Sequence, residues 1–119
     1  MGHAYYHSIS SSKVFGGHPD DYLFLHSWMD QFKAHVGDFR HRLFLHNSEG
    51  VFEAERVHGV VFNNSDNIVV PVRGVIEQHI VEDCGGRIPT IADWLRCLKP
   101  EPWMAQNVKT THGVRVNKL

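Results

Sequence analysis

His79 and Asp83 stand four residues apart in the segment 74–84, where Val75, Ile76, Ile80 and Val81 keep a helical apolar spacing. Residues i and i+4 of a helix share a face, so the imidazole and the carboxylate project from one side. That pair suits a borderline divalent cation such as Zn²⁺, Mn²⁺, Fe²⁺ or Ni²⁺. His26 and Asp30 repeat the spacing, and His46, Glu49 and Glu53 form a polar line at i, i+3 and i+7. A cation held between three helices would take His26, His46 and the pair His79 with Asp83 as ligands. Glu53 and Asp30 are the candidate general bases, and they or Glu49 are the candidate further ligands or acceptors for an imidazole N–H. With an open coordination position, the ion would lower the pKa of bound water towards about 7, which brings hydrolytic chemistry within reach.

A second reading of the same residues is open. Asp83 closes its helix just before Gly85, where a carboxylate opposes the helix dipole. A cation would offset that cost, and so would Arg87 or Arg73. On this reading the histidines are structural or surface groups, and the chain is a non-enzymatic interaction module, an inhibitor or accessory factor with an apolar docking surface. His3, His7, His35 and His41 compete with His46 for any ligand position. No HExxH, CxxC or C2H2 spacing is present, and Gly85-Gly86-Arg87 lacks the spacing of a phosphate loop. Arg40-His41-Arg42 could contact phosphate, which arginine binds bidentately, but more often such a triplet is a helix surface paired with nearby acids. Cys97 reads as a buried, inert thiol.

Composition bounds these readings. Lys plus Arg is 12 and Asp plus Glu is 13, a formal charge of −1, which argues against a dedicated nucleic-acid binder. Ten histidines make the charge unusually sensitive to pH. A 42% apolar and 21% charged chain of 119 residues is expected to form one globular domain, residues 1–104, with a flexible tail at 105–119. Two cysteines without a framework, and no long apolar run, predict a cytoplasmic protein with no membrane partner. A protein partner or a homo-oligomer stays open.

The elements that must position these groups follow in order. Serines and glycines after His3 and His7 predict a partly ordered arm; were it helical, the two histidines would share a face. Pro19 opens the first helix, with Asp20 and Asp21 in its first turn and Tyr22, Leu25, Met29 and Phe32 as a buried stripe widened by Phe24 and Trp28. A second helix is expected from Asp38, its N-cap, to about Val57, central and apolar on several sides. Gly50 within it marks either a close backbone approach or a helix boundary at Asn47–Ser48. VVF-NNSDN-IVVPV reads as a β-hairpin, about residues 60–72. The 74–84 helix follows, and then a fourth, capped by Thr90 and Asp93, with Ile91, Trp94, Leu95 and Leu98 as its buried face. The fold class is α+β, predominantly helical: about four helices round one core, with the hairpin between helices 2 and 3.

Three phrases together, DYLFLHSWMDQFKAHVGDFRHR, VVPVRGVIEQHIVEDCGGRIPTIADWL and KPEPWM, resemble a family of short bacterial and phage proteins of unknown function. HAYYHSISSSKVFGG fits as well, so the resemblance spans roughly residues 1–104. It implies a bacterial or phage origin and a compact single domain, and it brings no activity, cofactor or catalytic residue with it.

Overall fold

The computed structural model describes residues 3–106, together with 110–111 and 114–115. It is an α+β fold, mainly helical. Helix α1 is His3–Phe15, α2 is Leu23–Met29, α3 is Ser48–His58, α4 is Val72–Asp83 and α5 is Ile91–Leu95. Strands β1 (Val61–Asn63) and β2 (Val69–Pro71) pair antiparallel between α3 and α4, with Phe62 opposite Val70. Thr110–Thr111 and Val114–Arg115 form a second short antiparallel pair. The rest of 107–119, most of the stretch expected as a tail, lies outside the described residues. Among those described, no helix is long and apolar enough to cross a membrane.

The core is Tyr22, Leu25 and Met29 of the first stripe, Leu45, Val51 and Ala54 around the start of α3, Val70 of the hairpin, and Val72, Val75, Ile76 and Ile80 of α4. Of the expected stripe, Tyr22, Leu25 and Met29 are buried, while Phe32, in the 3₁₀ turn Gln31–Ala34, is half-buried against the core. Phe24 is not part of it: it is exposed, with its ring edge-on to Phe62 and His58.

The expected N-terminal arm is instead helix α1. Serine disfavours helix when its hydroxyl competes for backbone groups in other conformations. Here the hydroxyls bond back along the helix, Ser8 to the Ala4 carbonyl and Ser12 to that of Ile9, so they do not break it. Gly16 and Gly17, with φ of 87° and 72°, end the helix in the left-handed region open to glycine. Asn64 in the hairpin then fastens the end. Its amide donates to the Phe15 carbonyl at 3.1 Å and to the Tyr22 hydroxyl at 3.2 Å, and that hydroxyl donates to the Gly16 carbonyl at 2.6 Å.

Two further expectations are corrected. The single helix from Asp38 to Val57 is two pieces, a 3₁₀ turn at Phe39–Leu43 and α3. Asn47 makes the break: its side chain accepts from the Gly50 N–H at 2.7 Å and caps α3. With the chain broken there, Phe39, Phe44, Phe52 and Val57 are exposed rather than central. Helix α5 has the expected Thr90–Asp93 capping box, yet Ile91, Leu95 and Leu98 are exposed, only Trp94 is half-buried, and Cys97 is an exposed thiol. A five-residue helix is too short to lay a full stripe on the core.

Gly50 is both boundary and close approach. A Cβ built there would lie 1.9 Å from the Leu45 carbonyl oxygen. Helix propensity alone favours Gly50→Ala by about 1 kcal/mol. The clash with fixed backbone reverses the sign, and we expect the variant to be less stable by about 1–3 kcal/mol, the usual cost of overpacking. A melting temperature several degrees below the parent's checks this; an equal or higher value refutes the close approach.

Candidate metal centre

Four side chains converge at the polar end of the core. Asp30 caps the C-terminus of α2, His46 sits in the turn before α3, and His79 and Asp83 project from consecutive turns of α4. His46 and His79 are fully buried, and Asp30 is 9% exposed. His46 Nε2 lies 3.0 Å from Asp83 Oδ2, 3.0 Å from His79 Nε2 and 3.5 Å from Asp30 Oδ1. His79 Nε2 lies 3.2 Å from Asp30 Oδ1 and 3.2 Å from Asp83 Oδ2. All four ligand atoms fall within 4.8 Å of one another. Ligands about 2.1 Å from a tetrahedral ion stand roughly 3.4 Å apart; the separations involving an imidazole come close to this, while the set as a whole spans up to 4.8 Å.

The hydrogen-bond network fixes which nitrogens carry protons. The Gln78 amide nitrogen donates to the His7 carbonyl at 3.1 Å, which turns the amide oxygen towards Ser11. The Ser11 hydroxyl then donates to Gln78 Oε1 at 2.6 Å, with the His7 carbonyl at 3.0 Å as a second acceptor. With its proton committed, Ser11 Oγ accepts from His26 Nε2–H at 2.7 Å. Neutral His26 keeps a lone pair at Nδ1, which accepts from His79 Nδ1–H at 2.8 Å. With its Nδ1–H donated to His26, His79 Nε2 points between two carboxylate oxygens and His46 Nε2, where it must meet a proton or a cation. A lone pair among carboxylates is repulsive unless a cation or proton lies between them. An N–H partner behind a ligating imidazole also fixes its tautomer and orientation, as metal sites require.

Electrostatics agree. Burial, reinforced by the neighbouring His79 and His7, pushes His26 down to about 2, so it is neutral. Burial raises the carboxyls of Asp30 and Asp83, but hydrogen bonds from His46 and His79 outweigh it, with His7 adding to Asp83, and both are held well below the usual carboxylate range. Burial opposes protonation of His46 and His7, yet their acidic partners raise both. His7 bridges Asp83 Oδ1 at 3.1 Å and Glu82 Oε1 at 2.6 Å, leaving Asp83 Oδ2 for the centre. Lys33 Nζ lies 3.6 Å from Asp30 Oδ2. Trp94 Nε1–H donates to the His46 carbonyl at 2.9 Å and fixes that turn.

Of the residues singled out in the sequence, His46, His79 and Asp83 meet, and Asp30 joins them as a ligand-distance group rather than a base at a distance. His26 stands one layer back, both nitrogens engaged. Glu53 is at the surface, paired with Arg56, and Glu49 accepts from the Ile91 N–H at 2.9 Å. His35 is exposed, and the His3 side chain lies outside the described residues. Among the described residues the Asp83 side chain has no arginine partner: Arg87 reaches Asp93 and Arg73 reaches Glu77. Only Arg40 of its triplet is the expected surface ion pair, with Asp38 at 2.7 Å; His41 is buried. Sequence reasoning missed Ser11 and Gln78 and undervalued His7. The spacing of His7 and Ser11, i and i+4, was the available signal, and it required α1 to be a helix.

The fold and this centre define a mainly helical α+β protein with a buried two-histidine, two-aspartate cluster that can hold a metal ion. The family model of a domain of unknown function, DUF6915, matches residues 2–104, and the chain belongs to that family. No curated protein and no solved structure matches it.

The pH dependence of the metal-free protein follows from these shifts. His7 and His46, raised in the fold, contribute stability that is complete below their unfolded value of about 6.5 and is lost as pH rises through their folded values. His26, depressed, costs stability as pH falls below about 6.5, by up to about 1.4 kcal/mol per pH unit. Asp30 and Asp83 contribute above about 3.8 and lose that contribution as pH falls further. Urea unfolding in chelator should therefore show greatest stability near pH 6.5, with losses on both sides. A flat profile between pH 4.5 and 8.5 would sink this account of the network.

Proposed function

We propose that this protein binds one divalent transition-metal ion through Asp30, His46, His79 and Asp83. The observation that carries the reading is His79 Nε2, aimed by the Gln78–Ser11–His26 chain between Asp30 Oδ1 and Asp83 Oδ2 at 3.2 Å from each and 3.0 Å from His46 Nε2. Mixed imidazole and carboxylate donors suit Zn²⁺, with Mn²⁺, Fe²⁺ and Ni²⁺ as the related choices. Four protein ligands can complete a tetrahedral Zn²⁺ shell and thereby support the fold. Hydrolytic chemistry requires a fifth position, and the cavity of about 240 Å³ bordered by His41 and Asp83 is where it would open.

A second reading, a non-enzymatic interaction module, draws on one observation. Phe39, Leu43, Leu95 and Leu98 line an apolar groove of about 390 Å³ on the surface. Elemental analysis separates the two. Protein purified without a nickel column should carry close to one metal ion per chain, and chelator should lower its melting temperature. His79→Ala should lose metal and several degrees of melting temperature together. Asp83→Asn, which keeps the volume, should weaken metal binding by a hundredfold or more. Metal-free parent protein that ignores chelator and takes up no added Zn²⁺ rejects the metal reading and leaves the apolar groove as the functional surface.

A further inference from the structure

The 240 Å³ cavity beside the cluster has an unusual lining. Lys33, His41 and Arg42 face it, with Asp38 and the proposed ligand Asp83. Asp38 is already matched by the Arg40 guanidinium, and an ion in the centre would match Asp30 and Asp83. That leaves Lys33 and Arg42 as excess positive charge around a small space. Two buried nitrogens of these lining residues also have no partner among the described residues. Arg42 is anchored by one arm, its Nη1 donating to the Asp83 carbonyl at 3.1 Å, while its Nε makes no hydrogen bond. His41 Nδ1–H donates to the Asp38 carbonyl at 2.7 Å, while its Nε2, 3.6 Å from Asp30 Oδ1, makes none. A buried donor without a partner is uncommon, and Arg42 Nε calls for a specific group to satisfy it; His41 Nε2, with the ring proton at Nδ1, is no such donor in the neutral ring.

We infer that this cavity is a binding site for a phosphoryl group, supplied as free phosphate or as a small phosphomonoester. The inference rests on the metal reading above, because without the ion Asp30 and Asp83 would repel an anion. Arginine offers its planar fork to a tetrahedral oxyanion, lysine offers a point charge, and the ion neutralises the carboxylates behind them. A volume of this order, below that of drug-sized pockets, fits a phosphate better than a large ligand.

The test is calorimetric titration of the zinc-loaded full chain with inorganic phosphate and, separately, with methyl phosphate, against sodium chloride of equal ionic strength. Saturable binding of either phosphate, absent with chloride, supports the inference. Phosphate without methyl phosphate assigns the free ion, and both together assign the monoester as well. Arg42→Met should weaken phosphate at least tenfold while zinc content stays at the parent level, and Arg42→Lys should restore part of the loss. Full zinc with no phosphate binding, or binding indifferent to Arg42→Met, overturns the anion site and leaves the metal reading intact. Failure to take up zinc in the parent overturns both, and the zinc content measured before titration tells the two failures apart.

Discussion

Two carboxylates, Asp30 and Asp83, are nearly removed from water within hydrogen-bonding reach of the same two imidazoles. Bringing like charges together in a low-dielectric interior is among the costlier things a small domain can do. Positive charge must be present between them, either as protons on the histidines or as a metal ion. The surrounding structure is arranged round that requirement. Helix α4 supplies one carboxylate and one imidazole from consecutive turns, the end of α2 supplies the second carboxylate, and the turn capped by Asn47 supplies the second imidazole.

Helix α1 forms the back of this arrangement. Its His7 ring lies 3.9 Å from that of His79, centroid to centroid, and holds the outer oxygen of Asp83. Its Ser11 fixes the tautomer of His26, and through it that of His79. The polar residues that make this segment look unstructured are thus the ones that orient the centre. Elsewhere round the centre the chain turns through short 3₁₀ segments, where Phe39 and Phe44 are exposed and Phe32 packs against the core.

Local patterns were legible in the sequence and long-range ones were not. The hairpin, the 74–84 helix, the Thr90–Asp93 cap and the Tyr22–Leu25–Met29 stripe depend on spacings within a few residues, and each is where the pattern puts it. The His79–Asp83 pair was readable for the same reason. The arm that became α1 was misread because serine is ambiguous: its hydroxyl can leave a helix or bond back along it, and only packing against α4 decides. The Asp38–Val57 segment was misread because its apolar residues suit a helix on several faces, while one asparagine cap outweighed them. Whether Asp83 would find an arginine or a histidine depended on which helices meet, a fact no local spacing contains.

The partners in the centre come from far apart along the chain: His79 meets Asp30 across 49 residues and His46 across 33. Both cysteines are free. An ion held at this point would act as a cross-link, tying three distant segments that no covalent bond connects. Closing a loop of that length restricts the unfolded chain by an amount worth about 4 kcal/mol in the chain-entropy picture of a disulfide. Unlike a disulfide, such a clasp would be opened by competition for the ion rather than by reductant, so the resilience of the fold would follow the free metal concentration around it.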